Sequence, residues 1–204
     1  VGTTVALSIR DPRTDRIRSV ELVRAEIHQQ WVSWRFAPGT RIADLRIAAF
    51  NDGTAKSLSR AIEELRAAGA KAGVLERRDN PGGLLAQAVG VASELLPGGN
   101  VLLEKNSRGK LQPVAVEAGK NRLQLPMVVL VDAGTASAAE IVSGALQDAK
   151  RALVVGEKTF GTGTVLEEFG LRDGSALMLA VREWLTPDGH AIWHKGIEPN
   201  VKVP

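Results

Sequence analysis

An α/β fold with a largely parallel sheet is what this sequence predicts, on three observations. Between residues 45 and 155, short apolar runs of strand length alternate with longer segments whose apolar residues recur at helical spacing. One run, Met127 to Val131, is five consecutive apolar residues, the mark of a strand buried on both faces. Breaker clusters rich in Gly, Pro, Asn and Asp stand at the junctions. At 204 residues the chain allows one large domain, or one domain and a fragment of another.

Val5, Leu7 and Ile9 alternate with small or polar residues, and Ile17 to Val23 resumes the pattern after Asp11-Pro12-Arg13-Thr14-Asp15. This predicts a β-hairpin with a polar turn. Residues 29–44 carry Trp31, Trp34, Pro38 and Gly39 without clear periodicity and read as a connection with short extended pieces. Leu45 to Phe50 is a strand, and Asn51-Asp52-Gly53-Thr54 a turn that offers a helix cap. Leu58, Ala61, Ile62, Leu65 and Ala68 then follow helical spacing, closed by Gly69. Ala72 to Glu76 is a short strand and Leu84 to Leu96 a second helix, ended by Pro97-Gly98-Gly99. Val101–Glu104 and Pro113–Val116 read as strands around a polar turn. After the buried run, a third helix spans about 138–150 with Ala138, Ile141, Val142, Ala145 and Leu146 inward. Ala152–Val155 is a strand, 156–163 a glycine-rich loop, and Val165, 177–181 and Ile192 mark later strands.

Composition removes several function classes. Without cysteine there is no disulfide scaffold, zinc–thiolate site, iron–sulfur cluster or thiol nucleophile. A net charge of +3 with mixed signs is not a nucleic-acid-binding stripe, and only eight aromatic residues leave little for base stacking. No apolar run approaches the ~20 residues a membrane-spanning helix needs. The chain opens directly in a strand, which reads as a piece of a longer precursor.

Two loops fall where α/β sheets bind ligands, beyond the carboxyl ends of strands. They are Arg78-Asp79-Asn80-Pro81-Gly82-Gly83 and Asp132-Ala133-Gly134-Thr135-Ala136-Ser137. A serine at a helix start, beside glycines whose backbone approaches a carbonyl closely, is what acyl transfer needs. Ser137-Ala138-Ala139-Glu140 is equally a Ser-x-x-Glu capping box, the commoner role of such a serine. Gly161-Thr162-Gly163 lacks the Gly-Lys-Ser/Thr ending of a phosphate loop. His28, His190 and His194 are scattered, and the segment around Trp193 reads as extended, so no helix face presents metal ligands.

Four motifs together carry a resemblance. Arg78 to Leu85, Gly134 to Ile141, Gly156-Glu157-Lys158-Thr159-Phe160-Gly161 and Gly196-Ile197-Glu198-Pro199 match the tail-specific, or C-terminal processing, serine proteases in order and spacing. The match covers roughly residues 29–204. It implies an α/β core like that of ClpP and crotonase, with residues 1–28 as the truncated C-terminal remnant of a PDZ domain. It also implies a serine endopeptidase that cleaves unstructured C-terminal tails, works without cofactor or metal, and acts in the periplasm or cell envelope. The substrate is a polypeptide; no nucleic acid or membrane span is involved, and the oligomeric state stays open, a homo-oligomer included.

By that resemblance the nucleophile falls at Ser137, and the oxyanion hole at the N–H groups of Gly82 or Gly83 and of Ala138. A supporting aspartate falls at Asp148. The family's base is a lysine twenty-five residues after the serine, in Phe-Gly-Lys-Gly, with an orienting glutamine four further on. Here those positions hold Thr162 and Leu166. Neither takes the serine's proton at neutral pH, so three readings stay open. Another base stands in (Lys158, His190, His194 or Lys195); the chain is an inactive peptide-tail-binding pseudoprotease; or the serine acts with water and the oxyanion hole alone. Lys158 stands four residues before position 162, a span of ~13 Å if extended, so the loop would have to turn back. Arg77 stands where the family has an apolar residue, and reads as a snorkelling surface arginine.

Overall fold

The computed structural model describes residues 1–26, 29–118 and 123–203, and His28 lies outside them. The chain divides into two compact units, Val1–Gln30 and Trp31–Pro204. The first is a hairpin of β1 (Thr4–Arg10) and β2 (Ile17–Val23), paired from Thr4↔Val23 to Arg10↔Ile17. Its turn is closed by the Asp11 N–H donating to the Arg16 carbonyl at 2.9 Å. Leu7, Ile9, Ile17, Leu22 and Val23 are exposed on it.

The second unit contains, in order, β3 (Val32–Phe36), β4 (Ile42–Ile47), α1 (Thr54–Ala67), β5 (Ala72–Glu76) and α2 (Leu85–Leu95). There follow β6 (Asn100–Asn106), β7 (Leu111–Ala115), β8 (Met127–Val131), α3 (Ala138–Asp148) and β9 (Leu153–Gly156). It ends with β10 (Thr164–Gly170), β11 (Ala176–Leu185) and β12 (Val201–Lys202). The main sheet runs β12-β9-β8-β5-β4-β3, parallel from β12 to β4, with β3 antiparallel at the edge. A second, antiparallel sheet runs β10-β11-β6-β7.

The helices follow from their apolar patterns. α1 buries Leu58, Ala61, Ile62 and Leu65 and leaves its other face to solvent, the amphipathic case. α2 and α3 are buried almost all round, from Ala88 to Leu95 and from Ala138 to Leu146, and pack against each other. Phe50, Leu75, Val129 and Val154 from the main sheet belong to the same core.

Three expectations change. Residues 29–44 contain β3 and the first part of β4. The signal there is aromatic packing, not alternation: Trp34 and Phe36 meet edge to face at 5.5 Å, and Trp34 Nε1 donates to Glu64 of α1. Ile192 is buried but lies outside any strand; Lys195 and Gly196 donate back to its carbonyl in a turn. Arg77 is no snorkelling surface residue. It is completely buried, with its guanidinium over the Phe50 ring at 4.6 Å, and none of its three side-chain nitrogens has a hydrogen-bond partner among the described residues. The reason is position: two residues past Leu75, it falls on the core side of the extended chain.

Burial pushes the Arg77 guanidinium down to about 9, so it is still a cation at neutral pH. Replacing an uncompensated buried charge with an apolar side chain of similar length is expected to stabilise, so Arg77→Met should gain about 1–4 kcal/mol at pH 7 by urea unfolding. Above about 9 the unfolded chain, whose guanidinium keeps its ordinary higher value, still holds the proton that the folded chain releases. The penalty is therefore complete below pH 9 and relieved above it, and the gap between variant and parent should narrow at pH 10.5.

Candidate active site

Two loops meet at the carboxyl ends of β5 and β8, and polar side chains lock them together. Asp132 accepts the N–H groups of Asp79 and Gly134, each at 3.0 Å, and lies 3.0 Å from the Thr135 hydroxyl. Asn80, buried, donates Nδ2 to the Ile47 carbonyl and accepts the Gly82 N–H at 2.8 Å. The Asn80 carbonyl accepts the Ala136 N–H at 2.9 Å, closing the junction one residue before Ser137. A cavity of about 600 Å³ opens beside these loops, lined by Arg78, Asp79, Asp132, Gly134, Gly156 and Glu157 among others.

Ser137 begins α3 with φ 53° and ψ −121°. The capping box is formed with Glu140, whose Oε2 accepts the Ser137 N–H at 2.8 Å. An ordinary N-cap, however, has extended φ/ψ. The values here are those of the first central residue of a type II′ turn, a glycine conformation, and a serine held there is strained. A sharp strained turn from strand to helix is how α/β hydrolytic sites present a serine hydroxyl.

The neighbouring loop approaches this turn at van der Waals contact. A Cβ on Gly82 would lie 2.7 Å from the Ser137 Cβ and 2.8 Å from the Ala138 nitrogen. One on Gly83, at φ 140°, would lie 2.3 Å from the Phe50 carbonyl oxygen. Phe50 donates to the Gly82 carbonyl and accepts from Leu84, so Gly83 is held between two hydrogen bonds. The Gly82 N–H is already given to Asn80, which removes it as an oxyanion donor. The N–H groups of Gly83 and Ala138 have no acceptor among the described residues.

Glu140 is fully buried and does more than cap. Its Oε2 accepts from Ser137 and Thr162, both at 2.8 Å; its Oε1 accepts from Gly161 at 2.7 Å and from the Thr159 hydroxyl at 2.5 Å. One oxygen thus places the backbone of residue 162 beside that of Ser137. Thr162 stands there; Leu166 is on β10, half exposed, at a register irregularity between Val165 and Leu166.

The other candidates lie elsewhere. Asp148 is eleven residues along α3, roughly 16 Å from Ser137 at 1.5 Å per residue. It accepts the Asp188 N–H at 2.9 Å and faces His190, so it supports a turn and not the serine. Lys158, His190 and Lys195 line a cavity of about 680 Å³ together with Gln147, at that same far end of α3. Lys158 is paired there with Glu198 at 3.6 Å. The loop does turn back, but in doing so it buries Thr159 and leaves Lys158 half exposed. His194 donates its backbone N–H to the Gly161 carbonyl while its ring meets Trp193 edge to face. Among the described residues no side chain with a titratable nitrogen is hydrogen-bonded to Ser137, and no three His, Cys, Asp or Glu group to hold a metal.

Sequence reasoning found Ser137 and Glu140 as a pair but missed the clamp made by Glu140 and Thr159, and the locks made by Asn80 and Asp132. Asp132-x-x-Thr135 and Asn80-x-Gly82 carry the local hydrogen-bonding patterns that flag the last two.

Comparison with known proteins gives one answer. The model of peptidase family S41 matches residues 41–203. A carboxyl-terminal-processing protease of Picosynechococcus sp. is 35% identical over 205 residues, covering 100% of this chain and 49% of that protein. The carboxy-terminal processing protease CtpA of Bacillus subtilis is 40% identical over 162 residues, 79% of this chain and 35% of that protein. Among solved structures, a photosystem II D1 C-terminal processing protease superposes with a TM-score of 0.79 at 31% identity, over 99% of this chain and 56% of that one. The chain spans half or less of the length of these curated relatives. It belongs to peptidase family S41.

The strain at residue 137 is measurable. Ser137→Gly should be more stable than Ser137→Ala by about 1–2 kcal/mol in urea unfolding, because only glycine relaxes at this φ and ψ. Equal stabilities would mean that the serine is not held under strain.

Proposed function

We propose that this member of peptidase family S41 is the core of a serine endopeptidase of the C-terminal processing type, acting through an acyl-enzyme at Ser137. The observation that carries the reading is the strained turn at Ser137, near the N–H groups of Gly83 and Ala138, which have no acceptor among the described residues. The Ser137 Oγ adds to the scissile carbonyl and loses its proton. The carbonyl oxygen becomes an oxyanion facing those N–H groups. Collapse breaks the C–N bond, the amine leaves with a proton, and water hydrolyses the ester.

With Thr162 and Leu166 at the family's base and glutamine positions, water takes the serine's proton. The rate is then what the oxyanion hole and binding supply, about 10³–10⁴ over the uncatalysed reaction. Substrates are polypeptides with unstructured C-termini, bound as an added strand. The unit Val1–Gln30, with apolar side chains exposed on a lone hairpin, fits the remnant of a tail-reading PDZ domain. The relatives' processing role suits an extracytoplasmic setting.

The second reading, a pseudoprotease that binds tails without cleaving them, is favoured by the lack, among the described residues, of a basic side chain hydrogen-bonded to Ser137. A fluorophosphonate probe separates the two. The expected result is slow labelling that Ser137→Ala abolishes, with slow cleavage of casein. Tail-peptide binding with no labelling from pH 6 to 10 would establish the pseudoprotease. Restoring the dyad with Thr162→Lys and Leu166→Gln together is expected to raise the labelling rate about 10²–10⁴-fold.

A further inference from the structure

The cavity of about 680 Å³ at the far end of α3 takes no part in the acyl transfer proposed above. Lys158, Lys195 and His190 line it with Gln147, Thr186 and Glu198, so two ammonium groups and an imidazole face one carboxylate. That carboxylate is already engaged. Glu198 is shared between Lys202 at 3.1 Å and Lys158 at 3.6 Å, and Lys202 foremost holds it below the usual carboxylate range. Lys195 has no ion pair among the described residues. The Thr186 hydroxyl accepts the His190 backbone N–H at 3.3 Å, which leaves its own proton for His190 Nδ1, also at 3.3 Å. The ring proton then sits on Nε2, which has no partner among the described residues. The C-terminal end of α3 draws cations as well, but its partial charge of about half an elementary charge does not answer all three.

The backbone that carries these groups is fixed in advance. The Thr159 N–H donates to the Ile197 carbonyl at 3.2 Å, and the Ile197 N–H donates to the Thr159 hydroxyl at 2.7 Å. Those two bonds hold the residue after Lys158 against the residue two past Lys195. Gln147 Nε2 donates to the Glu198 carbonyl at 2.9 Å and ties the end of α3 to the same segment. A site whose backbone is already ordered loses less entropy when a ligand enters. We propose that this cavity binds an anionic oxygen group, a carboxylate or a phosphate, on the Lys195 ammonium with Lys158 and His190 Nε2 beside it. Charge-assisted hydrogen bonds to Lys195 come at no cost to an existing ion pair, since Glu198 keeps Lys202. The site is independent of the protease reading.

Amide NMR of the whole chain, titrated with inorganic phosphate at pH 7 and at an ionic strength held constant with chloride, tests it. The Lys158, His190 and Lys195 amide shifts are expected to saturate. Lys195 is exposed, so its variants keep the fold: Lys195→Gln should weaken the apparent affinity about tenfold, and Lys195→Glu should abolish binding. Lys56→Gln, on the exposed face of α1, should leave the affinity unchanged. Glutarate titrated in parallel distinguishes the sources. Tighter phosphate binding marks a phosphate ligand, tighter glutarate binding a polypeptide carboxylate, and either supports the site. Shifts that grow linearly with both anions, or an affinity that Lys195→Gln leaves intact, overturn the proposal. Failure of Ser137 to label would remove the protease reading and leave these outcomes as they are.

Discussion

The Glu140 carboxylate, enclosed at the start of α3, receives the N–H groups of Ser137, Gly161 and Thr162 and the hydroxyl of Thr159. A buried carboxylate is tolerable as an anion only when its lone pairs are filled. That requirement ties a loop nineteen to twenty-two residues downstream to the backbone of the serine. Thr159 passes the constraint on, since its hydroxyl oxygen also accepts the Ile197 N–H at 2.7 Å. The start of α3, the glycine-rich loop and the C-terminal segment are thereby one hydrogen-bonded body.

The strain at Ser137 survives because its surroundings over-determine it. Ala136 is bonded to Asn80 and the Ser137 N–H to Glu140, while its carbonyl accepts from Glu140 and Ile141. From the other side Gly82 leaves no room for the turn to relax toward an extended cap. The Ala138 N–H, at the first position of α3, has no acceptor among the described residues, as expected at a helix start.

Two positions inside this frame limit the proton chemistry it offers. No ammonium stands at position 162, and a guanidinium stands buried at 77. Neither residue serves as a base. A guanidinium has no acceptor to offer the serine's proton. Thr162 gives its backbone N–H to Glu140, which fixes the loop's place, while its side chain is no base.

Much of this was legible in the sequence. Helical spacing from Leu58 to Leu65, the apolar run Met127–Val131 and the turn residues around them determined the α/β alternation, because periodicity and breakers act locally. Ser137, Gly82, Gly83 and Thr162 stand in spaced motifs that single them out. What only the tertiary structure decided were matters of direction and distance. β3 formed through aromatic packing onto α1. Asp148 and Lys158, near the serine in motif order, lie at the far end of α3 because eleven helical residues carry the chain about 16 Å away. Asn80, two residues from Gly82, took its N–H, while Gly83 and Ala138 have no acceptor among the described residues. Arg77 read as a surface residue because composition favours solvent for arginine, yet its phase on the extended chain drove it into the core. A sequence carries its periods and its residue types; which side chain faces which follows only when the elements close on one another.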